Sequence, residues 1–109
     1  MVRPARFDVT VDAGERATTV SVVGELDMKT AVVLAQRLDQ LPLATVTSLT
    51  VDLRELAFMD SSGLRLLIEL HDRSRQEGWR LALIAPEHEP AAIVLRATGA
   101  DLALPFEPA

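Results

Sequence analysis

Phe58-Met59-Asp60-Ser61-Ser62-Gly63-Leu64 ends one apolar pattern and begins another of different period. Upstream, Leu49, Val51 and Leu53 alternate with Thr50 and Asp52, and the run continues past Arg54-Glu55 to Phe58-Met59, which reads as one strand feeding the serine turn. Downstream, Leu64, Leu67, Ile68 and His71 share a helical face widened by Leu66 and Leu70, while Glu69, Asp72, Arg73 and Arg75 fall mostly outside it. The segment is therefore a strand-to-helix junction with two hydroxyls and a glycine at the helix start. Such a start leaves backbone N–H groups without intrahelical partners and carries partial positive charge, so it accepts a capping hydroxyl, an anion or a phosphate ester.

Working outward, helix two runs to about Glu77 with Gly78 as its stop. Near the amino end, Phe7, Val9 and Val11 alternate with Asp8 and Thr10, and Thr18 to Val23 is rich in Thr and Val. Gly14 lies between the two runs, the pattern of a β-hairpin. After Gly24-Glu25-Leu26-Asp27, the set Ala31, Leu34, Ala35, Leu38 and Leu41 predicts helix one over roughly Thr30 to Leu41, closed by Pro42. Trp79 to Ala85 is almost unbroken apolar sequence and reads as a central strand covered on both faces. Ala91, Val94, Leu95 and Thr98 form a third helical face ended by Gly99, and Leu102 to Phe106 reads as a last short edge strand.

The order β-β-α-β-α-β-α-β predicts an α/β sandwich, one domain over residues 1–109, with a mixed, mostly parallel sheet. Functional side chains in such sheets gather at the carboxyl ends of parallel strands, so Gly24 to Asp27 and Asp60 to Gly63 are expected to share one edge.

Composition narrows the chemistry. Eleven Lys and Arg against sixteen Asp and Glu give a net charge of −5, which disfavours non-specific binding to nucleic acid or an anionic membrane. Without cysteine there is no disulfide scaffold, thiolate metal site or thiol nucleophile. No window approaches the roughly 18 apolar residues of a membrane span, and Met1 to Thr10 lacks a leader pattern, so the chain reads as cytoplasmic. One Trp and three Phe in 109 residues argue against base-stacking platforms.

Each candidate residue also has an ordinary structural role. On pattern alone Ser61 is a helix cap. Two adjacent hydroxyls cannot both take that position, and Ser62 is the better cap. Asp60 is either a turn or capping residue or one that orients the neighbouring hydroxyl, and Asp27 caps helix one or contacts a partner. Gly63 lets the helix approach the sheet, and Phe58 and Met59 read as core. His71 reads as half-buried and His88 as part of a charged turn, neither with ligand-spaced company, so no metal or cofactor is expected. A Ser-His-Asp hydrolase would need a Gly-x-Ser-x-Gly elbow, but Met59 stands two residues before Ser61, and no catalysis is expected. A phosphoacceptor receiver is disfavoured too: the acidic pair after the first strand is missing and Lys29 is the only lysine.

Gly24-Glu25-Leu26-Asp27, then Phe58 to Leu64, then Thr98-Gly99 followed by Leu102, together resemble a STAS domain of the bacterial anti-sigma factor antagonist type over roughly Phe7 to Phe106. The resemblance implies a non-enzymatic switch. The unmodified antagonist binds an anti-sigma factor that is also a serine kinase and so frees a sigma factor. Phosphorylation of the first hydroxyl after the aspartate, here Ser61, ends the binding, and a metal-dependent serine phosphatase restores it. Asp27, Asp60, Ser61, Ser62 and Gly63 match positions at or near the partner surface, while Met28 and Lys29 depart from the family pattern. Physically, a phosphate would add about 1.5 to 2 negative charges beside Asp60, and the helix start is expected to absorb that charge without loss of fold. The alternative is a STAS-like adaptor or scaffold subunit of a transporter or stress-sensing complex. A small-molecule sensor rests on analogy only, since no P-loop is present.

Overall fold

The alternation of the first strand ends at Gly14, where the chain turns through a hydrogen bond from Gly14 N–H to the Ala17 carbonyl at 2.8 Å. The computed structural model describes residues 7–43 and 47–108. The leader reading extends to residues 1–6, which lie outside the described residues. Strand β1 (Asp8–Ala13) runs antiparallel to β2 (Ala17–Leu26), with Val9 opposite Val22 and Val11 opposite Val20. Strands β3 (Ser48–Asp52) and β5 (Arg80–Ile84) add in parallel, giving the order β1-β2-β3-β5.

The run from Leu49 to Met59 is two strands rather than one. Strand β3 stops at Asp52, and β4 (Leu56–Met59) resumes parallel pairing with the far end of β2, Leu26 opposite Met59. The interruption is a turn in which Leu56 N–H reaches the Leu53 carbonyl at 3.0 Å, pinned by an Asp52–Arg54 ion pair at 2.8 Å. The register with β2 shifts between Gly24 and Glu25, and Gly24 has a φ of 107°. A β-carbon resists that backbone setting, so the bulge selects glycine.

Four helices follow from periodicity and caps among the described residues. Helix α1 (Met28–Asp39) buries Ala31, Leu34 and Leu38; α2 (Ser61–Glu77) buries Gly63, Leu67, Leu70 and Ser74; α3 (Glu89–Thr98) buries Ala91 and Leu95. Helices α1 and α2 pack on the sheet face that carries Val20, Val22, Leu49, Val51, Leu81 and Leu83, all buried, and α3 packs against β4. Each such aliphatic side chain contributes about 1.5–3 kcal/mol through its removal from water. Gly78 and Gly99 end α2 and α3 in left-handed backbone, at the positions the sequence predicts.

Three further expectations change. Helix one starts at Met28 rather than Thr30, because Asp27 caps it. Strand β5 is not central: it ends the main ladder, and Ala82 and Ile84 are only half-buried on the sheet's other face, beside Thr50 and Asp52. Its apolar run serves a single covered face, and its outer edge is closed by a strap. The expected final strand, Leu102 to Phe106, is reduced to that strap. Residues Ala100–Ala103 form a short helix, α4, in which Leu102 is 91% exposed. Only Phe106 then bridges Leu83, through Leu83 N–H to the Pro105 carbonyl at 2.9 Å and Glu107 N–H to the Leu83 carbonyl at 2.8 Å.

Candidate functional site

Strands β2 and β4 are paired neighbours, and each runs directly into a helix through an aspartate. Both aspartates are N-caps with extended backbone, at φ −118° for Asp27 and φ −108° for Asp60. Asp27 Oδ1 accepts from the N–H groups of Lys29 at 2.9 Å and Thr30 at 3.0 Å. The Thr30 hydroxyl completes a capping box by accepting from Asp27 N–H at 2.8 Å, and it donates to the Glu25 carbonyl at 2.7 Å. These bonds, led by that from Thr30 N–H, hold the Asp27 carboxyl below the usual carboxylate range, with the Lys29 charge acting in the same direction.

Asp60 repeats the device, its Oδ1 accepting from Ser62 N–H at 2.8 Å and Gly63 N–H at 3.4 Å. Its own N–H donates to the Leu26 carbonyl at 3.1 Å, which ties the second junction to the end of β2. The two helix starts therefore lie side by side, and the expected shared edge is present.

The division of labour between the hydroxyls is corrected. Ser62 is not the cap: it lies inside the helix and donates its N–H to Asp60. A cap residue needs extended backbone just before the first turn, and only Asp60 has it. Ser61, the first helical residue, is exposed, and its hydroxyl makes no hydrogen bond among the described residues. It is thus left available because the aspartate, rather than its neighbouring serine, does the capping. Ser62 is half-buried.

Gly63 is buried beneath them. A β-carbon there would stand 2.7 Å from Met59 Cγ and 2.9 Å from Leu26 Cδ2 and Cγ, so glycine lets α2 rest on the ends of β2 and β4. Met59 is fully buried as expected, but Phe58 is 40% exposed. In the short strand β4 both Ala57 and Phe58 face outward between buried Leu56 and Met59.

The sequence reading missed the groove between α1 and α2. About 230 Å³ in volume, it is lined by Met28, Val32, Ser62, Arg65, Leu66 and Glu69 among others, with the Arg65–Glu69 ion pair on its rim at 3.2 Å. Met28 is 72% exposed and Val32 is also exposed, although both are apolar. Their spacing of four residues, offset from Ala31, Leu34 and Leu38, is the signal in the sequence: a second apolar stripe pointing outward. His71 is half-buried on the far side of α2, and His88 precedes α3 without making a side-chain cap. Among the described residues no group of three or more His, Cys, Asp or Glu could hold a metal ion, and no helix is long and apolar enough to cross a membrane.

Known proteins share this arrangement of sheet and helices. The crystal structure of an anti-sigma factor antagonist from Mycobacterium paratuberculosis superposes with a TM-score of 0.81 at 25% identity, covering 95% of this chain and 87% of that one. The anti-sigma factor antagonist SpoIIAA in its unphosphorylated form superposes with a TM-score of 0.74 at 20% identity, covering 95% and 88%, a likeness of fold. A family model described as "Mlab, STAS domain" matches residues 9–104, which takes in both aspartate-capped junctions and all five strands except the first residue of β1. The chain belongs to the STAS domain family.

Proposed function

We propose that this chain is an anti-sigma factor antagonist, a regulatory binding protein of the cytoplasm and not an enzyme, acting as one domain over residues 1–109. In its unmodified state it binds an anti-sigma factor serine kinase and frees a sigma factor. Phosphorylation of Ser61 switches that binding off, and a metal-dependent serine phosphatase resets it. The observation that carries the reading is the exposed Ser61 hydroxyl, unused by the fold, beside the Asp27 and Asp60 caps and the groove of exposed Met28 and Val32. The likeness to the mycobacterial antagonist supports the same role.

The chemistry fits a switch. Asp27 and Asp60 are spent on caps, so the fold does not need the Ser61 hydroxyl and tolerates its modification. A surface with exposed Met28 and Val32 suits a partner contact that excludes water, and a dianion set into that contact loses its hydration. A coupling of about 1 to 3 kcal/mol corresponds to roughly 5- to 150-fold weaker binding.

The test is incubation with the cognate kinase and ATP, with phosphosite mapping and a partner-binding titration of each form. Phosphate on Ser61, lost in Ser61→Ala, with at least fivefold weaker binding of the phosphoform, supports the proposal. Unchanged phosphorylation of Ser61→Ala overturns it. Tight partner binding that ignores the phosphate overturns it as well and leaves the chain as a STAS-like adaptor or scaffold subunit, for which the exposed Met28 and Val32 would also serve.

A further inference from the structure

A phosphate on Ser61 meets a helix start whose next three N–H groups are already taken. The N–H groups of Ser62 and Gly63, which would otherwise receive an anion, both donate to the Asp60 carboxylate. The Leu64 N–H is bound to the Asp60 carbonyl at 3.2 Å. The expectation that the helix start absorbs the new charge therefore needs another cation. The charged groups of this corner are Asp27 and Lys29 at the start of α1, Asp60 at the cap, and Arg65 and Glu69 along α2. Of the two cations, Arg65 is fixed on the same helix one turn after Ser61, the spacing at which side chains of a helix meet.

Arg65 is 82% exposed and pairs with Glu69, itself exposed, through Nε to Oε1 at 3.2 Å. Such a pair is weak, and a guanidinium binds phosphate dianion through two donors more strongly than it binds one carboxylate. We infer that Arg65 is the phosphate-receiving residue of the switch: on modification of Ser61 it leaves Glu69, four residues ahead, for the phosphate four residues behind. Because Arg65 and Glu69 both form the rim of the α1–α2 groove beside Met28 and Val32, the exchange carries the modification into the shape and charge of that groove. Glu69 is left as an unpaired carboxylate on the rim. No covalent step beyond the phosphorylation is involved. The inference rests on Ser61 being the modified residue, and it names how the modification is read.

The experiment uses full-length protein carrying phosphoserine installed at position 61 through an expanded genetic code, titrated by phosphorus NMR. Arg65 favours the dianion, so in Arg65→Gln the second phosphate pKa rises by about 0.15 to 0.4 unit. Glu69→Gln removes the competitor and lowers that pKa, and this lowering disappears in the Arg65→Gln/Glu69→Gln double variant. The Arg65 Nε–H resonance shifts on phosphorylation, whereas a merely structural arginine would not report the phosphate. An unchanged phosphate pKa in Arg65→Gln overturns the inference. So does a Glu69→Gln effect that persists without Arg65, since it would then act through its own charge. Installing the phosphoserine directly keeps this result separate from the kinase assay. Failure to phosphorylate Ser61 enzymatically sinks the proposed function, while a flat titration sinks only the role of Arg65.

Discussion

Gly63→Ala is the most telling single perturbation, because one added carbon tests how α2 is seated. The new Cβ would stand 2.7 Å from Met59 Cγ and 2.9 Å from Leu26 Cδ2 and Cγ. Carbon atoms in contact prefer about 3.5–4.0 Å, so two side chains must retreat by roughly 1 Å. Neither can do so easily, since Met59 and Leu26 are fully buried and two of the three atoms met, Met59 Cγ and Leu26 Cγ, are not side-chain ends. Overpacking of this kind costs about 1–3 kcal/mol, against which alanine in a helix recovers up to about 1 kcal/mol relative to glycine. The net destabilisation is about 1–2 kcal/mol, equal to roughly 5 to 15 °C in Tm for a domain of this size. Thermal unfolding followed by circular dichroism measures it. In a Met59→Ala background the added methyl falls into space the deletion opened, so the penalty of Gly63→Ala shrinks or reverses sign there. A Tm for Gly63→Ala at or above the parent's, or strict additivity with Met59→Ala, would refute the close seating of α2 on β2 and β4.

The remaining predictions concern caps, acid and the core. Asp60→Ala lowers stability by about 1 kcal/mol in urea unfolding, while Ser62→Ala changes it by less than about 0.5 kcal/mol, and the reverse order would return the cap to Ser62. Asp27, Asp52 and Glu77 are held below the usual carboxylate range, by Thr30 N–H first, by the Arg54 side chain first and by the Trp79 indole N–H first, respectively. The folded state then binds fewer protons than the unfolded one, so their contribution is fully present above about pH 5 and is lost as pH falls through the lowered values. Tm measured from pH 7 to 3 should be flat and then fall, and Asp52→Asn should flatten part of the fall; an identical acid limb in that variant counts against the Asp52–Arg54 contact. Leu67→Ala, at a fully buried position of α2, destabilises by about 2–5 kcal/mol in the same urea assay, and a loss under about 1 kcal/mol would contradict its place in the core.

Much of the corner was legible because it is local. Asp27 and Asp60 are short carboxylates directly before apolar helical spacing, and Gly78 and Gly99 close their helices in left-handed backbone, so helix limits follow from chemistry a few residues wide. The choice of Asp60 over Ser62 as cap was not legible, because the pattern allows either residue and the first helical turn had to be located to within one residue. The exposure of Phe58 was hidden for a similar reason: alternation assigns a face only while the strand is regular, and the break at Arg54-Glu55 interrupts it.

What the sequence determined by itself is the set of elements and the position of the serine junction, since periodicity, caps and glycine stops act between residues close along the chain. Which strands stand beside which, and therefore what surrounds Ser61, was decided only in three dimensions. The Asp60 N–H to Leu26 carbonyl bond joins residues far apart in sequence and brings Met28 and Val32 of one helix to the groove that Arg65 and Glu69 of the other line. The apolar run of β5 likewise could not say whether one face or two would be covered. That depends on where the helices pack: the buried stripes of α1 and α2 meet β2 and β5 on the side of the sheet that carries Val20, Val51 and Leu83, while α3 packs against β4.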